Sequence, residues 1–226
     1  KEEERKKVVE HKDMFIDVGA KAEKDAAKLG VKVGDHITFD RSFKALGGEY
    51  ITGKGFDDRL GCAVMVEVLK RIKLKDGVTL YAVGTVQEEV GLKGARTAAY
   101  KLDPDLALVP EVTVATDFPG AKDEVRTSLG KGPAITIADA SGRGLITHPA
   151  VKDLLISTAE KNKIPYQLEV SEGGTTDATA IHLTKEGVPS GVVSIPTRYL
   201  HSPVEVANLK DIRNAIKLIT LAIQSY

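Results

Sequence analysis

Tryptophan is absent from these 226 residues, and cysteine occurs once, as Cys62. A lone cysteine excludes an intrachain disulfide and a zinc site built from clustered thiolates. Neither sign of charge is in excess, because 32 Lys+Arg balance 32 Asp+Glu. The chain therefore exerts no general electrostatic pull on nucleic acid or on an anionic membrane surface. It has no run of about 18 uncharged apolar residues, so no transmembrane helix is expected. Its opening, KEEERKKVVE, carries no apolar stretch behind the charges and does not read as a signal peptide. These absences point to a soluble, cytoplasmic protein of a reducing compartment, with neither nucleic acid nor membrane as partner. Side-chain amides are also scarce: Gln87, Gln167, Gln224, Asn162, Asn208 and Asn214 are all there are. With 28% charged residues, that leans toward a heat-adapted protein.

Hydrophobic residues make up 42% of the chain, enough for a sizeable core. Residues 21–29 (KAEKDAAKL) read as a short polar helix ended by Gly30. VKVGDHITFD (31–40) has strand-like β-branched residues, and RSFKALGGEYITG (41–53) suggests a hairpin or crossing connection. In DDRLGCAVMVEVLKRI (57–72), Leu60, Val64, Val68 and Ile72 repeat every four residues, which predicts the strongest helix of the chain. Apolar strands are predicted at 78–86 (VTLYAVGTV), 105–115, 133–139, 166–171 and 190–195, and further helices at about 149–162, 177–187 and 208–224. Strands alternating with helices at this spacing predict an α/β fold, a mixed sheet with helices on both faces. The expected division is a small β-rich segment over 1–48 and an α/β body over 49–226.

Open α/β sheets bind ligands beyond the carboxyl ends of their strands. Glu88 and Glu89 follow the run 78–86, Glu111 follows DLALVP, and His201 follows SGVVSIPTRYL. Asp57 and Asp58 open the long helix. Singly, each has a plain structural reading: Asp57-Asp58 as a helix cap, Glu88-Glu89 as a solvated surface, Glu111 as a loop acid, His201 as a structural histidine. Together they bring carboxylates and one imidazole to strand ends and a helix start from four separate segments. Oxygen and nitrogen donors of this kind suit zinc, cobalt or manganese. The loop Glu172-Gly173-Gly174-Thr175-Thr176-Asp177 is either a backbone cradle for substrate or a turn ending in a helix cap at Thr176 or Asp177. His182 reads as structural, His148 stays open, and Cys62 on an apolar helix is not a nucleophile.

Long stretches of the chain resemble the tetrahedral (TET) aminopeptidases, also called deblocking or glutamyl aminopeptidases and sometimes endoglucanase-like proteins. They are GKGFDDRLGCAV (53–64), GTVQEEVGLKGAR (84–96), PEVTVATDFPG (110–120), GGTTDATAIHL (173–183) and RYLHSPVEV (198–206). DMFIDVGAK with LGVKVGDHITFD is similar to the end of that family's small dimerisation domain. The resemblance implies a zinc-exopeptidase-like catalytic domain over 49–226 and the remainder of a β-rich dimerisation domain over 1–48. It implies a metallo-aminopeptidase acting on short peptides within a homo-dodecamer built from dimers, with two divalent ions, zinc or cobalt, per subunit. Asp57 matches the metal-bridging carboxylate, Glu88 the general base, Glu89 and His201 ligands of one metal, and Glu111 a ligand of the other. Asp117, in the same loop as Glu111, ranks below it. Gly173, Gly174 and Thr175 are the expected substrate-binding residues.

One family motif has no counterpart. The His-x-Asp that supplies the second metal's histidine early in the catalytic domain is not found. His11-Lys12-Asp13 has no apolar strand before it and falls within the small-domain stretch. The chain is thus expected to correspond to the C-terminal two-thirds of a family member and to bind one metal better than two. A truncated, inactive assembly fragment is the alternative from a different class. A glycosidase is a third, since paired acids at suitable separation serve that chemistry as well.

Overall fold

The computed structural model describes residues 4–121 and 127–226. The chain divides into two compact units, Lys1–Asp40 and Arg41–Tyr226. In the first, single 3-10 turns at Glu4–Lys6 and His11–Asp13 precede a short helix, α1 (Glu23–Lys28), and none of these buries a residue. The strand expected within 31–40 does not form a ladder. Val31, Val33, Ile37 and Phe39 are all exposed there, and β-branched residues hold a strand only when a neighbour completes its hydrogen bonds and covers one face.

The second unit is built on one mixed sheet of seven strands: β1 (Lys44–Ala45), β2 (Tyr50–Gly53), β3 (Ala107–Val114), β4 (Ala134–Ala138), β5 (Gln167–Val170), β6 (Ser190–Arg198) and β7 (Glu205–Asn208). β1 and β2 form the hairpin expected in 41–53. The longest strand, β6, runs parallel to β3 along its whole length, from Ala107 opposite Ser190 to Val114 opposite Thr197. Its other edge pairs antiparallel with β4 near Val193 and with β7 near Thr197. Both faces of β6 are covered, which is why its sequence is a continuous apolar run rather than an alternation.

Helices occupy both faces. α2 (Phe56–Arg71), α4 (Pro149–Lys161) and α6 (Leu209–Ser225) supply Leu60, Val64, Leu155 and Ile219 to the main core, where they meet Val112, Val193 and Ile195. Val109 and Val192 point the other way and pack with Ala178 of α5 (Asp177–Ile181) and with Leu145. A smaller cluster of Leu92, Ala95 and Ala180 joins α5 to α3 (Lys93–Leu102). α4 starts as predicted with Pro149 in its first turn, and the ring of His148 accepts a hydrogen bond from the Ala150 amide at 3.3 Å. His148 is therefore a cap.

Two expectations for this unit are corrected. Residues 78–86 do not form a strand, and Tyr81, Val83 and Val86 are exposed. Apolar composition suited the run to a sheet interior, but among the described residues no strand pairs with it. The helix expected over 177–187 stops at Ile181. Beyond it the chain folds into turns, with Gly187 donating to Thr184 and Val188 to the His182 carbonyl, ahead of Pro189, which cannot continue a helix.

Candidate active site

The site is assembled from three connections at one end of the sheet. The first is the entry into α2. Gly55 adopts a left-handed conformation (φ 66°), Asp57 and Asp58 depart from helical geometry, and the peptide between them is cis. Asp58 turns back on the helix and accepts the Gly61 amide at 2.8 Å. Gly61 has to be glycine, since a Cβ there would lie 2.6 Å from the Pro110 carbonyl oxygen of β3. That close approach brings Asp58 against the buried Glu111, to which it is hydrogen-bonded. The capping role weighed for this Asp pair belongs to Asp58, and Asp57 is left to face the cavity.

The second connection is Gln87–Leu92, between the run 78–86 and α3. It contains two left-handed residues, Gln87 (φ 60°) and Leu92 (φ 55°), and the Glu88 carbonyl accepts amides from Gly91 at 3.0 Å and Leu92 at 2.9 Å. The third is the turn after β6, where Tyr199 and His201 are also left-handed, at φ 58° and 60°. Non-glycine residues held in this region signal local strain that tends to gather at functional sites.

These connections converge. His201 Nε2 lies 2.8 Å from Asp57 Oδ2 and 3.5 Å from Glu89 Oε1. One donor atom from each of the three residues falls within 4.8 Å of the others. Two carboxylate oxygens and an imidazole nitrogen, from three separate backbone segments, form a set that fits a divalent ion of the zinc or cobalt type. Burial, and then the charge of Glu89, push the Asp57 carboxyl above its ordinary range, against the pull of His201. Asp58 and Glu111 are both raised, chiefly by burial. Glu88 is pushed up to about 7 by burial, then by Asp177 and Glu89. So many carboxyls that resist ionisation in one place mark a site suited to a cation.

All five acids and histidines expected at the site, Asp57, Glu88, Glu89, Glu111 and His201, line one cavity of about 1010 Å³. Gly173, Gly174 and Thr175 line it too, while Thr176 caps α5 through its hydroxyl, accepting from the Ala178 amide at 3.3 Å. The loop thus lines the cavity and ends in the helix cap that was one of its two readings. Glu111 stands apart from the three-donor cluster, because its carboxyl is engaged by Asp58. Asp117 is committed elsewhere. Burial disfavours its charge, but Arg198 Nε at 2.7 Å and the Leu129 amide at 3.0 Å outweigh that and hold its carboxyl below the usual range.

One residue of the site was not singled out in the sequence. Glu205, at the start of β7, is 1% exposed. Its Oε2 accepts the Phe56 amide at 2.6 Å and its Oε1 the His201 amide at 3.3 Å. A single buried carboxylate thereby ties the connection carrying Asp57 to the one carrying His201. The available signal was its place in RYLHSPVEV, four residues after His201.

The family model for the M42 glutamyl aminopeptidases matches residues 1–218. The chain belongs to that family. Among M42 relatives, the lysyl aminopeptidase of Pyrococcus furiosus is 34% identical over 206 residues, covering 91% of this chain and 57% of the relative. The glutamyl aminopeptidase of Lactococcus lactis is also 34% identical, covering 94% and 59%. Among solved structures, aminopeptidase APDkam598 of Desulfurococcus kamchatkensis superposes with a TM-score of 0.93 at 53% identity, covering 97% of this chain and 61% of that one. The TET1 peptidase of Pyrococcus horikoshii, which assembles into a tetrahedron or a large octahedral shell, gives 0.77 at 34%, covering 93% and 60%. The chain thus spans about three-fifths of the length of its M42 relatives. Among the described residues no helix is long and apolar enough to cross a membrane.

The clustered acids carry a pH prediction. Glu88 is raised from 4.5 to about 7, so between those values the folded chain keeps a proton that the unfolded chain releases. Its contribution to stability is complete below the unfolded value and is lost as pH rises through the folded one. Asp57, Asp58 and Glu111 shift in the same direction. The melting temperature of chelator-treated protein is expected to fall as pH rises from about 5 to 8, and added zinc is expected to reverse the fall. A flat profile without metal would contradict this reading of the cluster.

Proposed function

We propose that this chain carries the catalytic machinery of a metal-dependent aminopeptidase that removes N-terminal residues from short peptides. The observation that supports it most directly is the convergence of Asp57, Glu89 and His201 on one point, with Glu88 on the wall of the same cavity. Asp57, Glu89 and His201 would hold a divalent ion, zinc or cobalt. Such an ion supplies Lewis acidity, lowering the pKa of water and polarising a carbonyl oxygen.

Glu88 acts as the general base. It takes a proton from the water that attacks the scissile carbonyl carbon, and returns it to the amine nitrogen as the C–N bond breaks. A carboxyl near neutrality suits both halves of that exchange, since it is neither too weak a base nor too weak an acid. Gly173, Gly174 and Thr175, which line the same cavity, would offer backbone to the bound peptide. The described lining includes seven carboxyl groups and no lysine or arginine, which favours a substrate with a free α-ammonium group. A second ion would fall to Glu111 together with Asp57. Glu111 is engaged by Asp58, so the three-donor position is the tighter of the two. The chain's relatives include self-assembling shells. By that likeness we read it as a subunit of a cytoplasmic homo-oligomer, a dodecamer built from dimers, with residues 1–48 as part of the dimerisation domain.

The test is hydrolysis of a free-amine pentapeptide and of its N-acetylated form, before and after chelation. Cleavage of the free peptide alone, lost on chelation and restored by zinc or cobalt, is the expected result. Equal cleavage of both peptides, or activity that survives chelation, would defeat the proposal.

A further inference from the structure

Asp177 is a buried carboxylate that the mechanism above leaves unused. It is 8% exposed, it opens α5, and it is not part of the cavity wall. Its Oδ2 accepts the Thr85 hydroxyl at 2.5 Å, while its Oδ1 is buried with no hydrogen-bond partner among the described residues. An unmet carboxylate oxygen in the interior is costly unless a compensating contact arises in the working state. Burial pushes its carboxyl up, and the Thr85 hydroxyl offsets only part of that.

Thr85 lies three residues before Glu88, at the end of the run 78–86. That run has no ladder to fix it, so its position at the site depends on the contacts of its last residues. Two contacts are visible. Gly94, in the first turn of α3, donates to the Val86 carbonyl at 2.9 Å, and it must be glycine because a Cβ there would sit 2.5 Å from the Val86 amide nitrogen. The other contact is Thr85 with Asp177. α3 and α5 are joined through Leu92, Ala95 and Ala180, so both contacts belong to one packed body beneath the Gln87–Leu92 turn.

We infer that Thr85 and Asp177 form a positioning pair that holds the Glu88 carboxyl in the cavity. This rests on the reading of Glu88 as the base. Of the acids that act on Glu88, Asp177 has the largest influence. Asp177 also directly follows Gly173–Thr176, all four of which line the cavity. The pair therefore connects the loop that would contact the peptide to the turn that carries the base.

Thr85→Val removes the hydroxyl at constant volume, and Thr85→Ser keeps it. Thr85→Val is expected to lower kcat by about 10- to 100-fold with KM nearly unchanged, and Thr85→Ser to stay near wild type. The readout that needs no turnover is the side-chain carboxyl carbon of Glu88 in protein labelled with 13C-glutamate, assigned by its loss in Glu88→Gln. Thr85→Val should shift or broaden that resonance while the remote Glu49 signal holds, and Thr85→Ser should leave both in place. An unmoved Glu88 signal in folded Thr85→Val protein overturns the inference, as does wild-type kcat. Should Thr85→Val fail to fold, Thr85→Ala takes its place. It also removes the hydroxyl that Asp177 accepts, and an unmoved Glu88 signal again overturns the inference. A wild-type protein without peptidase activity would sink the hydrolase reading alone, since the carbon signal still decides the positioning role.

Discussion

Replacing Glu88 with glutamine is expected to lower kcat by about 10²- to 10⁴-fold, the usual worth of a positioned general acid–base. The amide matches the carboxyl in shape and cannot take a proton from water near neutral pH. Glu88 lies outside the cluster formed by Asp57, Glu89 and His201, so metal affinity should stay close to wild type. Stability should rise slightly above neutral pH, because the variant no longer has to ionise a carboxyl whose charge is disfavoured by burial and by Asp177. A sharp loss of turnover with intact metal binding and an unchanged or higher melting temperature is therefore the signature. Steady-state kinetics beside a melting curve give both halves. A variant that keeps most of its turnover would remove Glu88 from the chemistry.

Glu205→Ala is expected to act on everything at once. Its two acceptor bonds to the Phe56 and His201 amides are charge-assisted, and the buried Phe56 amide would be left without a partner. Losing them is expected to cost about 3 kcal/mol of stability, from hydrogen bonds of this class. Asp57 and His201 would lose their common anchor, and metal affinity is expected to fall by about 10- to 100-fold, as when an outer partner of a ligand is removed. Glu205→Gln keeps one acceptor oxygen and should fall between wild type and alanine on both measures. Denaturant unfolding and zinc titration of the pair would show it. If Glu205→Ala binds zinc as wild type does, the carboxylate supports the fold but not the ligands.

Much of the fold was legible because it rests on packing periodicity. The four-residue repeat in α2 faces the main core, and the apolar runs at β3, β4, β5 and β6 appear within a few residues of their predicted limits. α3 was missed: KGARTAAYKL buries only Ala95 and Ala99, too little apolar surface to set a visible stripe. The four-residue β7 was missed for its brevity, and Glu205 with it. The run 78–86 misled for the opposite reason. Its sequence has the apolar character of a sheet interior, yet Tyr81, Val83 and Val86 stand exposed, because composition reports what a segment is suited to bury and not which strand will meet it.

The candidate site was legible as residue types, and its geometry was not: Glu111 lies inside β3 rather than beyond it, and no strand leads into Glu88 and Glu89. Asp57, Glu89 and His201 were available from the sequence, but nothing there shows that Asp58 turns away to Gly61 and Glu111 while Asp57 meets the histidine. Nor do left-handed Gln87 and Tyr199 announce themselves, since neither is a residue type enriched in that region. Thr85 and Asp177, 92 positions apart, are brought together only by the packing of α3 against α5.

The most direct measurement is a calorimetric zinc titration of chelator-stripped wild-type protein beside His201→Ala. With Asp57, Glu89 and His201 as the metal site, wild type should show one tight site, and the variant should bind at least about 100-fold more weakly, having lost the only nitrogen donor of three. Its melting temperature should stay near wild type in the absence of metal, because the side chain of His201 is largely exposed. Equal zinc affinity in the two proteins would contradict the metal site, and with it the metal-dependent hydrolysis built on it.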